Sequence, residues 1–280
     1  MISKSELLHQ AKRLGLLPQV IEKDYVLGWV LAGISDHAQL KNNWIFKGGT
    51  CLKKAYFEEY RFSEDLDFTV LDQKQIALPF LTEVFREISA WVYDQSGIQI
   101  PENKIEFELY KTKREQVSCQ GKLSYIGPLT PTSPRQWPRI KLDLTANEIL
   151  VGEPVKFELY HPYSDLPKSG IHILSYSYSE IFAEKIRALV ERTRPRDLYD
   201  VIHLFHHSKH QKSQETVLNF LKQKCDFKGV QLPTMESLEK QKIACSVGWT
   251  DQLSHQINNL EPCDYYWSQL PALLKWLKLI

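Results

Sequence analysis

One ten-residue segment constrains this chain more than any other. In Arg61-Phe62-Ser63-Glu64-Asp65-Leu66-Asp67-Phe68-Thr69-Val70 the alternation after Glu64 predicts a strand. Leu66, Phe68 and Val70 fall on one face, and Asp65, Asp67 and Thr69 on the other. Two carboxylates then leave the same side of a rigid element, about 7 Å apart along it. Like charges held that close repel unless a cation lies between them, and a divalent metal is the usual solution. Just upstream, Lys47-Gly48-Gly49-Thr50 carries glycines that let backbone N–H groups approach a phosphate closely. A phosphate cradle beside metal-binding carboxylates implies chemistry on a nucleoside triphosphate.

Composition narrows the setting. The chain has 280 residues and 43% hydrophobic content, enough for one large or two modest cores. A formal net charge of +1 excludes gross electrostatic capture of nucleic acid and leaves only local patches. The five cysteines, Cys51, Cys119, Cys225, Cys245 and Cys263, are scattered, with no close pair at zinc-finger spacing. Such an odd set fits a reducing compartment. The N-terminus lacks the apolar core of a signal peptide. The longest uncharged apolar stretch, Tyr25 to Ile34, is half the roughly 20 residues a membrane span needs. A soluble, cytoplasmic protein with no membrane partner is expected.

Along the chain, Pro18 is placed to open a helix that runs through Trp29 and Leu31. Trp44-Ile45-Phe46 predicts a short buried strand ending at Gly48-Gly49, and Thr50 to Tyr56 a short helix. Ile76, Phe80, Leu81, Val84, Phe85, Ile88 and Trp91 recur at helical spacing. Alternation returns around Ile105–Leu109, Ile140–Leu144 and Val155–Leu159. Ser164 to Ser179 is rich in Ser, Tyr, Pro and Gly, and beyond it helical patterns cover Glu180–Glu191, Asp197–Phe205, Glu215–Lys224 and Ser268–Leu279. Strands first and helices afterwards predict an α/β or α+β catalytic half, residues 1–165, joined to a helical half, residues 166–280.

Further residues could serve chemistry. In Arg139-Ile140-Lys141-Leu142-Asp143-Leu144-Thr145, Asp143 shares the polar face with Arg139 and Lys141. That arrangement reads either as a plain surface ladder or, if this strand neighbours the aspartate strand, as a third carboxylate around one or two divalent ions. Lys185 falls inside the apolar arc of its helix, between Ile181 and Leu189. It either snorkels to the rim or reaches a triphosphate from a cleft facing Gly48-Gly49. Asp197 and Asp200 read as helix-start carboxylates, or as groups that orient Lys185 or contact a base and ribose. His203, His207 and His210 have helix-face spacing, but in a polar tail they read as a solvated helix end. Lys111, Lys113, Arg114, Lys122, Arg135, Arg139 and Lys141, interleaved with Tyr110, Tyr125 and Trp137, are either an ordinary solvated loop or a surface for RNA.

Taken together these blocks resemble the AbiEii/AbiGii-like nucleotidyltransferase toxin family, relatives of the MenT toxins. The resemblance rests on Ile21-Glu22-Lys23-Asp24-Tyr25-Val26, Phe46-Lys47-Gly48-Gly49-Thr50-Cys51-Leu52, the segment from Arg61 to Phe68, and Ile140-Lys141-Leu142-Asp143. It continues in Glu184-Lys185-Ile186-Arg187-Ala188-Leu189 and Arg196-Asp197-Leu198-Tyr199-Asp200-Val201. It implies a polymerase-β-like nucleotidyltransferase core with a helical C-terminal half. By position, Gly48, Gly49 and Thr50 would hold the nucleoside triphosphate, with Ser63 and Arg196 among the nucleotide contacts. Asp65, Asp67 and Asp143 would bind Mg²⁺ or Mn²⁺, Lys185 would contact phosphate, and Asp200 would complete the distal motif. The acceptor would be an RNA such as a tRNA 3′ end, and a cognate antitoxin protein would counter the activity.

Two rival readings compete. Arg196 and His203 show the arginine–six–histidine spacing of HEPN-type, metal-independent ribonucleases. A non-catalytic binding module is the other, against which the intact Gly48, Asp65, Asp67 and Lys185 argue.

Overall fold

The computed structural model of the chain describes residues 1–111, 117–131, 133–207 and 213–280. The chain divides into two compact units. The first takes Met1–Glu148 and Pro154–Ser175, and the second takes Ile149–Glu153 and Tyr176–Ile280.

The first unit is built on a seven-stranded mixed sheet. Its strands are β1 (Trp44–Lys47), β2 (Asp65–Val70), β3 (Ile105–Lys111), β4 (Val117–Ser124), β5 (Arg139–Thr145), β6 (Val155–Glu158) and β7 (His172–Ser175). They lie in the order β3-β4-β5-β2-β1-β7-β6, with β2–β5 and β1–β7 parallel and the other pairs antiparallel. Helices α1 (Lys4–Leu14), α2 (Pro18–Asp36) and α4 (Leu78–Ser96) accompany the sheet. Between β1 and β2 a four-residue helix, α3 (Gly48–Cys51), continues into one wide π-type turn over Leu52–Tyr56.

Alternation decides which face is covered. Trp44, Phe68 and Phe107 share the apolar face, where Phe85 of α4 packs against Trp44 and Phe107 at ring separations of 6.0 and 5.2 Å. Helix α2 lies against α4, with Trp29 and Trp91 6.3 Å apart. It is buried almost all round, from Val20 through Ile34, which explains why it shows little amphipathic period. Pro18 opens it, as its sequence position predicts.

Three elements of this unit escape the hydrophobic pattern. Helix α1 is short and mostly polar. Strand β4 turns Cys119, Gly121 and Leu123 to the core, a weak signal because one of the three has no side chain. That glycine is required by packing, since a Cβ at Gly121 would come within 2.8 Å of the Phe107 ring. Strand β7 is four residues inside the Ser/Tyr/Pro/Gly tract, yet it pairs with both β1 and β6. The sheet therefore carries the first unit past residue 165 to Ser175.

The second unit is helical: α5 (Tyr178–Arg192), α6 (Pro195–His206) and α7 (Gln214–Lys228) pack together, followed by α8 (Met235–Glu239), α9 (Lys242–Val247), α10 (Trp249–Leu253), α11 (Cys263–Trp267) and α12 (Leu270–Trp276). The long helices match the expected helical stretches. The five- and six-residue helices α8 to α11 are too short to show a period. Ser177 caps α5, and the Phe182 ring stacks on Trp276 at 6.0 Å. At its centre Glu180 and Lys224 form a fully buried ion pair at 2.8 Å. Glu180 also accepts from the N–H groups of Val151 and Gly152, at 2.9 and 2.7 Å, and Lys224 donates to the Ile149 carbonyl at 3.0 Å. This clamp assigns the 149–153 segment to the second unit. Among the described residues no helix is long and apolar enough to cross a membrane.

Breaking a buried pair leaves an uncompensated charge, so Glu180→Ala is expected to cost about 3–5 kcal/mol in urea unfolding. Glu180→Met with Lys224→Met should recover only part of this, because two backbone N–H groups stay unpaired. Lys240→Ala, which breaks the solvent-exposed pair with Glu236, should leave the midpoint unchanged. Equal effects from the buried and exposed substitutions would refute the clamp.

Candidate active site

The polar face of the sheet brings the carboxylates together. Strand β5 is the parallel neighbour of β2, and Asp67 is the register partner of Asp143, while Asp65 is that of Lys141. On the other side of β2, Lys47 is the partner of Asp67; on the other side of β5, Gln120 is the partner of Asp143. Register partners point to the same side, so Lys47, Asp67, Asp143 and Gln120 make one row across four strands. The neighbouring strand that the third carboxylate required is therefore present. Lys47 is buried, whereas Asp65, Asp67 and Asp143 are half-buried.

The electrostatics of the row follow from this packing. Burial pushes the Asp143 carboxyl above its ordinary range, and the negative charge of Asp65 adds to that push. A hydrogen bond from Gln120 and the charges of Lys141 and Lys47 act in the opposite direction. Among the described residues no three His, Cys, Asp or Glu side chains are already gathered around a metal position. The donors are nonetheless of the kind a hard divalent cation takes: carboxylate oxygens, partly solvated, on one face and mutually repelling. Lys47 and Gln120 were missed in the sequence. Lys47 could have been found from its parity with the carboxylates once β1 and β2 were paired, but Gln120 lies on the strand the pattern did not reveal.

The glycine turn meets the row at Gly48. Its φ is +81°, and a Cβ there would fall 2.1 Å from Asp67 Oδ2, so backbone conformation and the carboxylate both demand glycine. At Gly49 a Cβ would lie 2.7 Å from Arg61 Nη2 and 2.9 Å from Ser63 Oγ. Thr50 is fully buried and donates its hydroxyl to the Asp65 carbonyl at 2.5 Å, which ties the turn to β2. In this structure its hydroxyl serves the protein backbone.

Charged residues of α2 hold the surroundings. Before its final residue, α2 carries charge only at Glu22-Lys23-Asp24. Lys23 pairs with Glu64 at 2.6 Å, next to the aspartate strand. Asp24 pairs with the buried Lys54 at 2.7 Å and accepts from the Tyr163 hydroxyl at 2.9 Å. Burial alone would raise the Asp24 carboxyl, but Lys54, Lys53 and these hydrogen bonds outweigh it and hold the group below its usual range. Glu22 accepts from the Leu129 N–H at 2.5 Å. A charged triplet inside an apolar helix was the available signal.

Within the second unit, Lys185 is buried and its Nζ lies 2.7 Å from Asp200 Oδ2 and 3.9 Å from Asp197 Oδ1. Asp197 is held by both Arg192 Nε and Nη2, at 2.7 and 2.9 Å. Neither aspartate caps α6, which has no side-chain cap. Asp200 orients Lys185, and Lys185 does not simply snorkel. Arg196 is half-buried on the same helix. The His203 ring stacks between Tyr199 and His207, at centroid separations of 5.7 and 4.1 Å, and His207 Nδ1 bonds the His203 carbonyl at 3.1 Å. Two rings stacked face to face do not chelate a metal.

The basic stretch divides. Lys141 and Lys122 are register partners, with Asp65 and Glu106 as their register partners on the outer sides. Tyr125 is fully buried and cannot be a stacking platform, whereas Tyr110 is exposed and Trp137 half-buried. Lys113, Arg114 and His210 lie outside the described residues.

The family profile described as "Nucleotidyl transferase AbiEii toxin, Type IV TA system" matches residues 29–276. The chain belongs to this family. As an AbiEii-family chain it is a nucleotidyltransferase of the toxin–antitoxin class, and Gly48, Asp65, Asp67 and Asp143 lie in the matched region. Among solved structures, it is similar to MenT4, the nucleotidyltransferase toxin Rv2826c from Mycobacterium tuberculosis H37Rv. The match has a TM-score of 0.52 and 19% identity, covering 79% of this chain and 69% of that one, and it shows a shared fold. Among curated proteins no match is found.

Gly48→Ala should destabilise the AbiEii-family chain by more than about 1 kcal/mol, the cost of a left-handed backbone for an L-residue, plus the clash with Asp67. An unchanged urea midpoint would show that the turn relaxes freely.

Proposed function

We propose that this chain transfers nucleotides from a nucleoside triphosphate to an RNA acceptor, such as a tRNA 3′ end, in a reaction that depends on Mg²⁺ or Mn²⁺. The observation that carries this reading is the register of Asp67 with Asp143, met at one end by the backbone of Gly48. In this reading Asp65, Asp67 and Asp143 hold the divalent cation, which when bound supplies Lewis-acid stabilisation of attacking and leaving oxygens. In this reading the backbone N–H groups at Gly48 and Gly49 receive phosphate, with Arg61 and Ser63 beside Gly49. Lys47 and Gln120 keep Asp67 and Asp143 in place. Lys185, oriented by Asp200, contributes a compact cation to a phosphate, and Arg196 makes a further nucleotide contact. The cell compartment is the cytoplasm, and the activity is countered by a cognate antitoxin protein.

The ribonuclease reading gains no support from the geometry. Arg196 and His203 share α6, but the His203 ring is sandwiched between two other rings, and the row of carboxylates has no task in that chemistry.

The chain is to be incubated with total tRNA, Mg²⁺ and each labelled nucleoside triphosphate in turn. Label is expected on RNA with at least one nucleotide, and a chelator should abolish it. Asp67→Asn and Lys185→Ala should each lower the rate by about 100-fold or more, as expected for loss of a group acting on developing charge. Mg²⁺ should raise the thermal midpoint of the parent but not that of Asp65→Asn/Asp67→Asn, since only a ligand of the native state stabilises it. Metal-independent RNA cleavage that is lost in Arg196→Ala would instead establish the nuclease.

A further inference from the structure

Phosphoryl transfer holds the attacking and leaving oxygens roughly in line, on opposite sides of the phosphorus. On the nucleotide-transfer reading, on which this inference rests, the glycine turn fixes one of those sides. Strand β1 runs antiparallel to β2, so the chain leaves Lys47 toward the Asp65 end of β2. Gly48 there abuts Asp67, and Thr50 is tied to the Asp65 carbonyl. The triphosphate, and the pyrophosphate that leaves, therefore belong to the β1 side of the carboxylate row. The attacking hydroxyl has to arrive from the other side, over β5, β4 and β3.

The register determines what the sheet presents there. The row of Lys47, Asp67, Asp143 and Gln120 continues onto the edge strand β3 at Glu108. Two residues along, the next row on the same face is Thr69, Thr145, Ser118 and Tyr110. Ser118 Oγ donates to Thr145 Oγ1 at 3.3 Å, so side chains of this row lie next to one another. Ser118 and Thr69 are buried and Thr145 is half-buried, whereas Tyr110 is 42% exposed. Its ring is thus what the row leaves open to solvent. Two strand spacings and two residues separate Tyr110 from Asp143, about 12 Å on the diagonal. One nucleotide and the tyrosine side chain fill that gap together. Charge selects what enters it: Glu108 is exposed on the same face, and with Asp143 it repels a phosphate. An uncharged base meets no such repulsion, and an aromatic ring accepts the π-face of any base.

We propose that Tyr110 is the platform on which the 3′-terminal base of the RNA acceptor stacks. Held there, the terminal nucleotide turns its ribose hydroxyl toward Asp143. That oxygen gives its proton to water and bonds the α-phosphorus, and pyrophosphate leaves toward the glycine turn. Tyr110 forms and breaks no bond itself; it sets which end of the acceptor reaches the carboxylate row.

The test titrates the full chain, without nucleoside triphosphate, into a short single-stranded RNA carrying 2-aminopurine at its 3′ end. A second RNA carries the same base at its 5′ end. Stacking quenches this base, so the 3′ probe should lose fluorescence on binding and the 5′ probe should not. Tyr110→Ala should abolish the quench and weaken binding about 5- to 150-fold, the range measured when a stacking ring is removed. Tyr110→Phe keeps the ring and should behave as the parent, and all three proteins should share one urea midpoint. In labelled transfer to total tRNA, Tyr110→Ala should raise the KM for tRNA by a similar factor and leave the KM for the nucleoside triphosphate unchanged. The platform is overturned if Tyr110→Ala binds and quenches as the parent does, if Tyr110→Phe fails as alanine does, or if the 5′ base is the one quenched. Label transferred with an unchanged KM for tRNA in Tyr110→Ala removes the platform alone. No label on RNA from the parent with any nucleotide removes the transfer reading, and the platform with it.

Discussion

The polar chemistry of the first unit depends on the central position of β2. A strand with a parallel neighbour on one side and an antiparallel one on the other can align residues from three separate stretches of chain. Asp67 gains Lys47 from β1 and Asp143 from β5 by this means alone. A one-residue slip of β5 would place Leu142 or Leu144 opposite Asp67 and turn Asp143 into the apolar core. The apolar face forbids that slip. Leu66, Phe68, Ile140, Leu142 and Leu144 are all essentially fully buried, so the register that packs the core is also the register that aligns the carboxylates.

Buried ion pairs fix the parts around this sheet and inside the helical unit. Asp24–Lys54, Lys185–Asp200 and Glu180–Lys224 each place an acid and a base out of water at 2.7 or 2.8 Å. Such pairs contribute little net stability compared with apolar residues of similar volume, because desolvation offsets most of the attraction. Their effect is on geometry, since a mismatched arrangement would strand a charge. Asp24–Lys54 holds the turn after the glycines to α2, and Glu180–Lys224 holds the 149–153 segment to α5 and α7. Each pair sits where an irregular piece of chain has to keep one position.

The sequence revealed those features that are periodic or chemically unusual. The strands β2, β3 and β5 and the helices α4, α5, α6 and α7 show in it because their apolar residues repeat at 2 or 3.6, whereas β1 shows as a short apolar run and α2 through Pro18 and the apolar stretch behind it. Strand β4 does not, since Gly121 occupies an inward position that the Phe107 ring fills. Strand β7 does not, because four residues in a polar tract contain only Ile173 and Leu174 as apolar signal. The alignment of Asp65, Asp67 and Asp143 was legible as parity within each strand, but their adjacency depended on the non-local pairing of β2 with β5. Gln120 was illegible for a compound reason: it lies on the unseen strand and acts through a partner from another. Asp197 and Asp200 were read either as helix-start residues or as groups that orient Lys185 or contact a nucleotide, and the fold turns them toward Arg192 and Lys185.

The charge balance around Lys185 constrains how a phosphate could use it. Lys185 and Arg192 face Asp197 and Asp200, two positive groups against two negative ones, so the quartet is formally neutral. A neutral cluster exerts no net attraction on a polyanion at long range. What it provides is a donor whose position is set beforehand, because Asp200 is fully buried and holds the ammonium at 2.7 Å. A triphosphate carries several negative charges, and Lys185 alone, already matched by Asp200, cannot neutralise them. On the nucleotide-transfer reading that neutralisation falls to the divalent cation, while the lysine sets direction. On that reading an aspartate beside the lysine is no contradiction: it sacrifices some attraction to fix where the ammonium points.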